Sequence, residues 1–567
     1  MTLPLRLGLA SLLTLPSSFA AQSLMVGSET KIGEAIGGFT GELEAGDVFG
    51  FSLAALGDLD GDGKRELAIG AIGDDDGGRA QGAVWIVSLN PDGTVAAGAT
   101  KISATAGGFG GQLDLDDNLG VSLAALGDLD GDGTVELAVG APADDDGGQD
   151  KGAVWILSLN PDATVASWTK ISATSGGFVG PLRSMDWFGY SLTTLGDLDG
   201  DGTVELAVGS LKDDDGGAFS NRGALWILSL NTNGTVAAST KISETAGGFG
   251  GQLDSGDEFG TALASLGDLD ADGNVELAVG ASKDSDDGFN HGAVWILSLR
   301  PDATLAAWSR ISEGFGGVLD PNDYFGSALA APGDLDGDGR PDLVVGAFGD
   351  VYSVYGQGAV WLLSLDPDAS VASETKFSGG HNWFGCHLGL GDSFGRSVAA
   401  PGDLDGDGKL ELIVGAPYDE DVASSQGAVW VLSFDALAAK SGTYAGEGLN
   451  RDTITPVDAV PGGTWSAPLT IGHPHGSGGP LTLMVYPCTN DGANFRSPVG
   501  GRMTEFLLAG SLMAKVGGTH DGTTGDIPPQ LIPSDPALLG LSWAAQYIVA
   551  GGGHGDYSQA ALGIVGP

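Results

Sequence analysis

Asp-Leu-Asp-Gly-Asp-Gly-Lys-Arg-Glu, residues 58–66, decides the fold because it does not occur once. The same acidic pattern begins at Asp58, Asp128, Asp197, Asp268, Asp334 and Asp403, at intervals of 70, 69, 71, 66 and 69 residues. Acids at positions 1, 3, 5 and 9 of a loop that turns at glycine direct carboxylate oxygens toward one point, which suits a hard cation such as calcium. A regular period of this length means that one supersecondary unit is copied around an array.

In the first copy Asp58, Asp60, Asp62 and Glu66 offer side-chain oxygens, and Lys64 its backbone carbonyl. The other sets are Asp128, Asp130, Asp132 and Glu136; Asp197, Asp199, Asp201 and Glu205; Asp268, Asp270, Asp272 and Glu276. The fifth is Asp334, Asp336, Asp338 and Asp342, with the shorter acid last, and the sixth is Asp403, Asp405, Asp407 and Glu411. A helical EF-hand requires Glu at position 12. Here that place is Ile69 or Val139, with strand-like flanks. The expectation is about six Ca2+ ions in β-hairpin loops, with a structural role. Solvated acidic turns would not keep this spacing six times.

Between the loops each repeat reads as four short strands. The second copy runs Val121–Leu126, the acidic loop, Glu136–Gly140, Gly152–Leu159 and Thr169–Ser172, with Gly, Pro, Asn and Asp at the breaks. That is strand grammar, and no segment keeps a helical period. Four-stranded units at this spacing predict an all-β fold, a β-propeller of stacked blades. One tryptophan per unit (Trp85, Trp155, Trp226, Trp295, Trp361 and Trp430) is read as packing between blades, not as a ligand site. The sixth unit lacks its Thr-Lys-Ile strand, and Thr30-Lys-Ile-Gly33 supplies one ahead of the first unit. The N-terminal segment therefore completes the last blade. Six blades follow, with a degenerate seventh left open.

The repeat resembles FG-GAP, the blade of the N-terminal propeller of integrin α chains. The Phe-Gly half stands at Phe49-Gly50, Phe188-Gly189, Phe259-Gly260, Phe325-Gly326 and Phe394-Gly395, with Leu119-Gly120 as a variant. Gly-Ala-Pro is intact at 140–142 and 415–417 and altered elsewhere, as at Gly209-Ser210 and Gly280-Ala-Ser282. The resemblance spans roughly residues 24–436. It implies calcium in the hairpins and ligand engagement on the opposite face, where a second acidic loop recurs (Asp74–Gly78, Asp144–Gly148, Asp213–Gly217 and Ser285–Gly288). That loop reads either as a negatively charged rim for a basic partner or as ordinary polar turns.

Charge limits the partners. With 24 basic and 74 acidic residues the chain carries −50, and six Ca2+ ions still leave about −38. Such a surface repels nucleic acid and anionic lipid. The 99 glycines have no collagen period and recur at turns. Residues 1–20 read as a signal peptide: Arg6, the apolar run Leu7–Leu15, and Ser18-Phe-Ala20 before the cut. No later run is long enough to span a bilayer as a helix. The expected location is extracellular or cell-surface, with the periplasm open. Cys386 and Cys488 give no disulfide framework, and whether they pair stays open.

After Phe434 the repeat stops. Residues 437–450 read as a linker and 451–567 as a small all-β sandwich. Seven histidines show no repeat, and His473, His475 and His554 lack further zinc ligands. His381 and His387 flank Cys386 with no recognised pattern. No nucleophile elbow or metalloprotease motif occurs. The reading is a non-enzymatic adhesion protein that binds an extracellular protein or polysaccharide. A propeller scaffold for a polysaccharide hydrolase or lyase, and a purely structural envelope protein, are the alternatives.

Overall fold

The chain divides into two compact units, Met1–Leu437 and Ala438–Pro567. The computed structural model describes residues 24–436 except 216, 218–219, 352–355, 380–387 and 421–422, together with six short strands of the second unit. The expected signal peptide and linker, both cysteines and the C-terminal histidines fall outside the described residues.

The first unit is six four-stranded antiparallel sheets and, among the described residues, no helix. The N-terminal strand is β1 (Leu24–Ile32), and the first full blade is β2 (Phe49–Gly57), β3 (Arg65–Ala71), β4 (Ala83–Leu89) and β5 (Val95–Ile102). Strands β6–β9 (residues 123–172), β10–β13 (188–242), β14–β17 (259–311) and β18–β21 (328–378) repeat it. The last sheet is β22 (Ser397–Gly402), β23 (Glu411–Ala416) and β24 (Ala428–Ala436), completed by β1. Leu24 pairs with Ala436 and Ile32 with Val429, so the first described strand closes the ring. The count is six, and the seven-bladed alternative falls away.

Burial follows from stacking. Strands such as β3 and β7 (Val135–Ala141) are covered on both faces by neighbouring sheets and read as continuous apolar runs after Glu66 and Glu136. The outer strand β9 (Val165–Ser172) is buried at its two ends and exposed or half-buried from Ala166 to Lys170, because it lies at the edge of its sheet. Each blade tryptophan is 1–5% exposed and packs into the interblade core. Trp85 meets Phe39 edge-on at 5.2 Å, and Trp155 meets Phe109 at 5.1 Å, so packing accounts for both.

The recurrent glycines mark the joints between blades. A Cβ on Gly70 would sit 2.2 Å from the carbonyl oxygen of Gly120 in the next blade. Gly140 meets Gly189 in the same way at 2.0 Å, and Gly415 meets Gly50 at 2.1 Å across the closing joint. Gly50, Gly120 and Gly189 have φ near +90°, where a side chain is strained as well as crowded. Serines reinforce the contact: Ser52 Oγ donates to Gly120 O at 2.6 Å, and Ser397 Oγ to Gly50 O at 2.7 Å. The two halves of the repeat signature are thus the two sides of one backbone joint.

The second unit contains a four-stranded antiparallel sheet, β25 (Leu469–Ile471), β26 (Leu481–Met484), β27 (Thr504–Leu508) and β28 (Leu512–Val516). It also has one paired ribbon, β29 (Ala544–Ile548) with β30 (Leu562–Val565). Whether these strands form the expected sandwich lies outside the described residues.

Candidate metal centres and the two faces of the ring

Strand direction alternates within each blade, so the loops fall on two faces. The acidic loops and the Asn-Pro-Asp type turns lie on the lower face. The loops after each second and fourth strand lie on the upper face.

In each lower loop the backbone folds around its own acids. In the first, Asp58 Oδ2 accepts from Gly63 N at 3.0 Å, Asp60 Oδ1 from Asp62 N at 2.9 Å, and Glu66 Oε2 from Leu59 N at 2.6 Å. The same three bonds recur around Asp128, Asp130 and Glu136. They recur again around Asp403, Asp405 and Glu411. These bonds hold the acids in place, and in two loops the other oxygen of the first aspartate is engaged as well: Asp128 Oδ1 accepts from Gly131 N at 2.7 Å and Asp403 Oδ1 from Gly406 N at 2.7 Å. Oxygens of Asp58, Asp60 and Asp62 lie within 4.8 Å of one another. So do those of Asp128, Asp130 and Glu136; Asp197, Asp199 and Glu205; Asp268, Asp270 and Glu276; and Asp334, Asp336 and Asp342. A compact set of carboxylate oxygens fits a hard divalent cation.

The third aspartates of these last four loops stand outside the triplets. Asp132 Oδ1 takes Thr134 N at 2.8 Å and Thr134 Oγ1 at 2.6 Å, and Asp201 does the same with Thr203. Asp272 takes Asn274 N, and Asp338 takes Arg340 N, each at 2.8 Å. Glu66, Glu136, Glu205, Glu276 and Glu411 are pushed above the usual carboxylate range by burial, and Asp342 is pushed up to about 7 for the same reason. Holding them ionised beside other carboxylates is unfavourable unless a cation joins them. Ala271 replaces the glycine of the fourth loop and keeps the turn with φ +60°.

The upper face carries a feature that the acidic pattern hid. In every repeat the cation of the fourth strand lies over the blade tryptophan, 5.0–5.7 Å from the ring centre: Lys31, Lys101, Lys170, Lys241, Arg310 and Lys376. Each also grips the first acid of an upper loop. Lys31 reaches Asp419, Lys170 reaches Asp144 and Lys241 reaches Asp213, all at 2.7 Å. Lys101 with Asp74, Arg310 with Asp284 and Lys376 with Asp350 complete the six. These aspartates are buried, so the first acid of the supposed rim is a structural strut. The signal was a single basic residue recurring at one place in an acid-rich repeat.

Beside each strut sits a second buried aspartate. Asp117 Oδ2 accepts from Asp114 N at 2.8 Å, and Asp186 Oδ2 from Arg183 N at 2.6 Å. Burial pushes Asp47 up to about 6, and Asp117, Asp186, Asp257 and Asp323 up to about 7. A folded pKa above the unfolded value of about 3.9 makes the contribution to stability largest in acid and lost as pH rises toward 7. Asp117→Asn keeps the acceptor for Asp114 N and removes the charge. We expect it to stabilise the ring by on the order of 1 kcal/mol at pH 8 and to be neutral at pH 4. Thermal melts at both pH values check this, and equal shifts would refute it.

The comparisons agree with this geometry. The FG-GAP repeat description matches residues 49–87, 119–157, 325–363 and 394–432. The chain carries FG-GAP repeats. The blades beginning at Phe188 and Phe259 have the same glycine joint, Gly209 meeting Gly260 at 2.3 Å and Gly280 meeting Gly326 at 2.0 Å. The FG-GAP ring is similar to integrin alpha-PS2 of Drosophila melanogaster, 32% identical over 269 residues, which cover 46% of this chain and 17% of the relative. It is 33% identical over 238 residues to integrin alpha-V of Gallus gallus, covering 41% and 20%. With integrin alpha-5 of Xenopus laevis it shares 30% over 244 residues, covering 42% and 21%. The FG-GAP chain thus matches about a fifth of the length of these relatives.

Proposed function

We propose that this FG-GAP ring is an extracellular, calcium-stabilised adhesion module whose upper face docks a ligand without turning it over. The lower loops hold Ca2+ through the acid sets described above, and the ion's work is to neutralise and lock the hairpins. The similarity to integrin alpha chains supports an adhesive role outside the cell, at the surface or secreted, with a protein or glycan ligand.

The observation that carries the docking face is the placement of exposed apolar side chains. Leu115, Val179, Met185, Phe289, Val318, Val351, Leu390 and Tyr418 all stand on upper loops, five of them more than 60% or at 60% exposed. Trp168 and Trp308 lie on outer strands, and the lower face contributes none among the described residues. Apolar side chains gathered on one face of an otherwise acidic ring mark an interaction surface. Arrays of matrix proteins and glycans, probed in calcium, identify the ligand. The triple variant Leu115→Ser, Phe289→Ser, Val318→Ser should lose at least about tenfold in affinity at an unchanged melting temperature. Undiminished binding by that variant would move the site elsewhere.

A further inference from the structure

Three of the six lower loops carry a cation inside the nine-residue pattern, and three do not. The loops at 128–136, 197–205 and 268–276 hold four acids and no Lys or Arg, a charge of −4 each. The loop at 58–66 contains Lys64 and Arg65, and those at 334–342 and 403–411 contain Arg340 and Lys409, which leaves −2, −3 and −3. With the blade of β2–β5 counted as the first, the division follows the ring. Blades two to four are consecutive. Blades five, six and one are also neighbours, Gly346 meeting Gly395 and Gly415 meeting Gly50, each at 2.1 Å. The loops with cations thus form one arc, centred on the blade that β1 completes.

In all three of these loops the cation at position 7 turns back on the third acid of its own pattern. Lys64 Nζ pairs with Asp62 Oδ2. Lys409 Nζ lies 3.2 Å from Asp407 Oδ2, and Arg340 Nη1 lies 3.1 Å from Asp338 Oδ2. Arg340 also holds Asp366 through Nε at 2.9 Å. The same place in the other three loops is neutral. Thr134 Oγ1 donates to Asp132 and Thr203 Oγ1 to Asp201, both at 2.6 Å, and Asn274 Nδ2 donates to Asp272 at 2.8 Å. A hydroxyl or amide can stay on a carboxylate that also binds a metal ion, whereas an ammonium or guanidinium there repels it. Arg65 brings a further charge to the closing joint. Its guanidinium carbon stands 3.7 Å from where a Cβ on Gly402 would lie, just before Asp403 of the sixth loop.

We infer that the six calcium sites fall into two classes, a tight set in blades two to four and a weak set in blades five, six and one, where the protein's own cations compete with the ion. The inference rests on the reading of the lower loops as Ca2+ sites. A unit charge about 6 Å from a divalent ion costs about tenfold in affinity at the dielectric of water, before salt screens it. The ring is therefore half loaded over a range of calcium concentration. As calcium falls, ions leave the arc around the closing blade first, so the joint that completes the ring is the part that responds to the external calcium level.

The test counts ions on the full chain, stripped of metal and titrated with Ca2+ in about 10 mM buffer, where screening is weak. Equilibrium dialysis with radioactive calcium gives the number bound, and isothermal titration calorimetry gives the affinities. The expected result is two phases of about three ions each from the lower loops, separated at least about tenfold. The triple variant Lys64→Thr, Arg340→Thr, Lys409→Thr should tighten the weak phase about tenfold, and Thr134→Lys, Thr203→Lys, Asn274→Lys should weaken the tight one as much. All six side chains are exposed or half-buried, and both variants should keep the parent's circular dichroism spectrum in saturating calcium. Raising salt to roughly 0.3 M should narrow the gap between the phases. A single phase in the parent, or a weak phase unmoved by the first triple variant, overturns the two classes and leaves calcium in the loops. No Ca2+ bound up to about 10 mM, above the range of extracellular modules, overturns both readings.

Discussion

Chelation of divalent ions will unfold the ring at temperatures where the calcium form is intact. Five of the lower loops each crowd three acids within 4.8 Å. At such distances a like-charged pair costs about 1 kcal/mol even in water. An extracellular calcium site with ligand at ten times its Kd contributes about 1.4 kcal/mol, and six independent sites contribute about 8 kcal/mol. That is a large share of the roughly 5–15 kcal/mol that separates folded from unfolded protein. Melting followed by circular dichroism, with calcium and with EDTA, reads the effect directly. Readdition of Ca2+ should restore the original transition. The pH sign is also fixed, because the buried Glu66, Glu136, Glu205, Glu276 and Glu411 have raised pKa values in the metal-free protein. The metal-free ring is therefore least stable at neutral pH and gains as acid protonates these groups, so the gap between calcium and EDTA narrows on acidification. A melting curve indifferent to EDTA at pH 7.5 would remove calcium from the structural account.

Deleting β1, residues 24–32, will have an effect of similar size through packing and not through charge. Leu24, Val26 and Ile32 are 4%, 8% and 0% exposed, and burying each such side chain is worth about 1.5–3 kcal/mol. The deletion also removes Lys31, which holds Asp419 at 2.7 Å and lies over Trp430. It further bares one edge of β24, whose unpaired backbone groups then invite association between chains. The expected product melts at a much lower temperature and elutes as oligomers in size-exclusion chromatography. Lys31→Met, which leaves the strand in place, should show only a fraction of that loss. A deletion variant that stays monomeric and melts like the parent would show that the ring closes by other means.

Much of this architecture was legible in the chain because the repeat spells it out. The Thr-Lys-Ile strand absent after Val429–Ser433 and present at 30–32 gave both the closure and the blade count, since strand pairing needs only matching pieces. The acidic loops were equally plain, because ligand spacing within nine residues is a local property. Their finer geometry was not. Asp132, Asp201, Asp272 and Asp338 satisfy nearby backbone and side-chain donors, and nothing in the nine-residue pattern separates them from the acids in the triplets. The upper acidic loops were harder still. Asp144 and Asp74 look like solvated turns until the register places Lys170 and Lys101 beside the tryptophans beneath them. The contact between Arg396 and Tyr190 spans 206 residues and breaks the repeat pattern. Only the closed ring brings those two together.

The pairing of Leu24 with Ala436 has a mechanical consequence. Chain enters and leaves the ring side by side at the lower end of the last blade, away from the upper loops. Tension between a ligand on those loops and a tether beyond residue 436 then runs through β24, which is hydrogen-bonded to β1 on one side and β23 on the other. Pulled along its length, that strand must shear both ladders together instead of unzipping one bond after another. The blade that closes the circle is also the one placed to resist force.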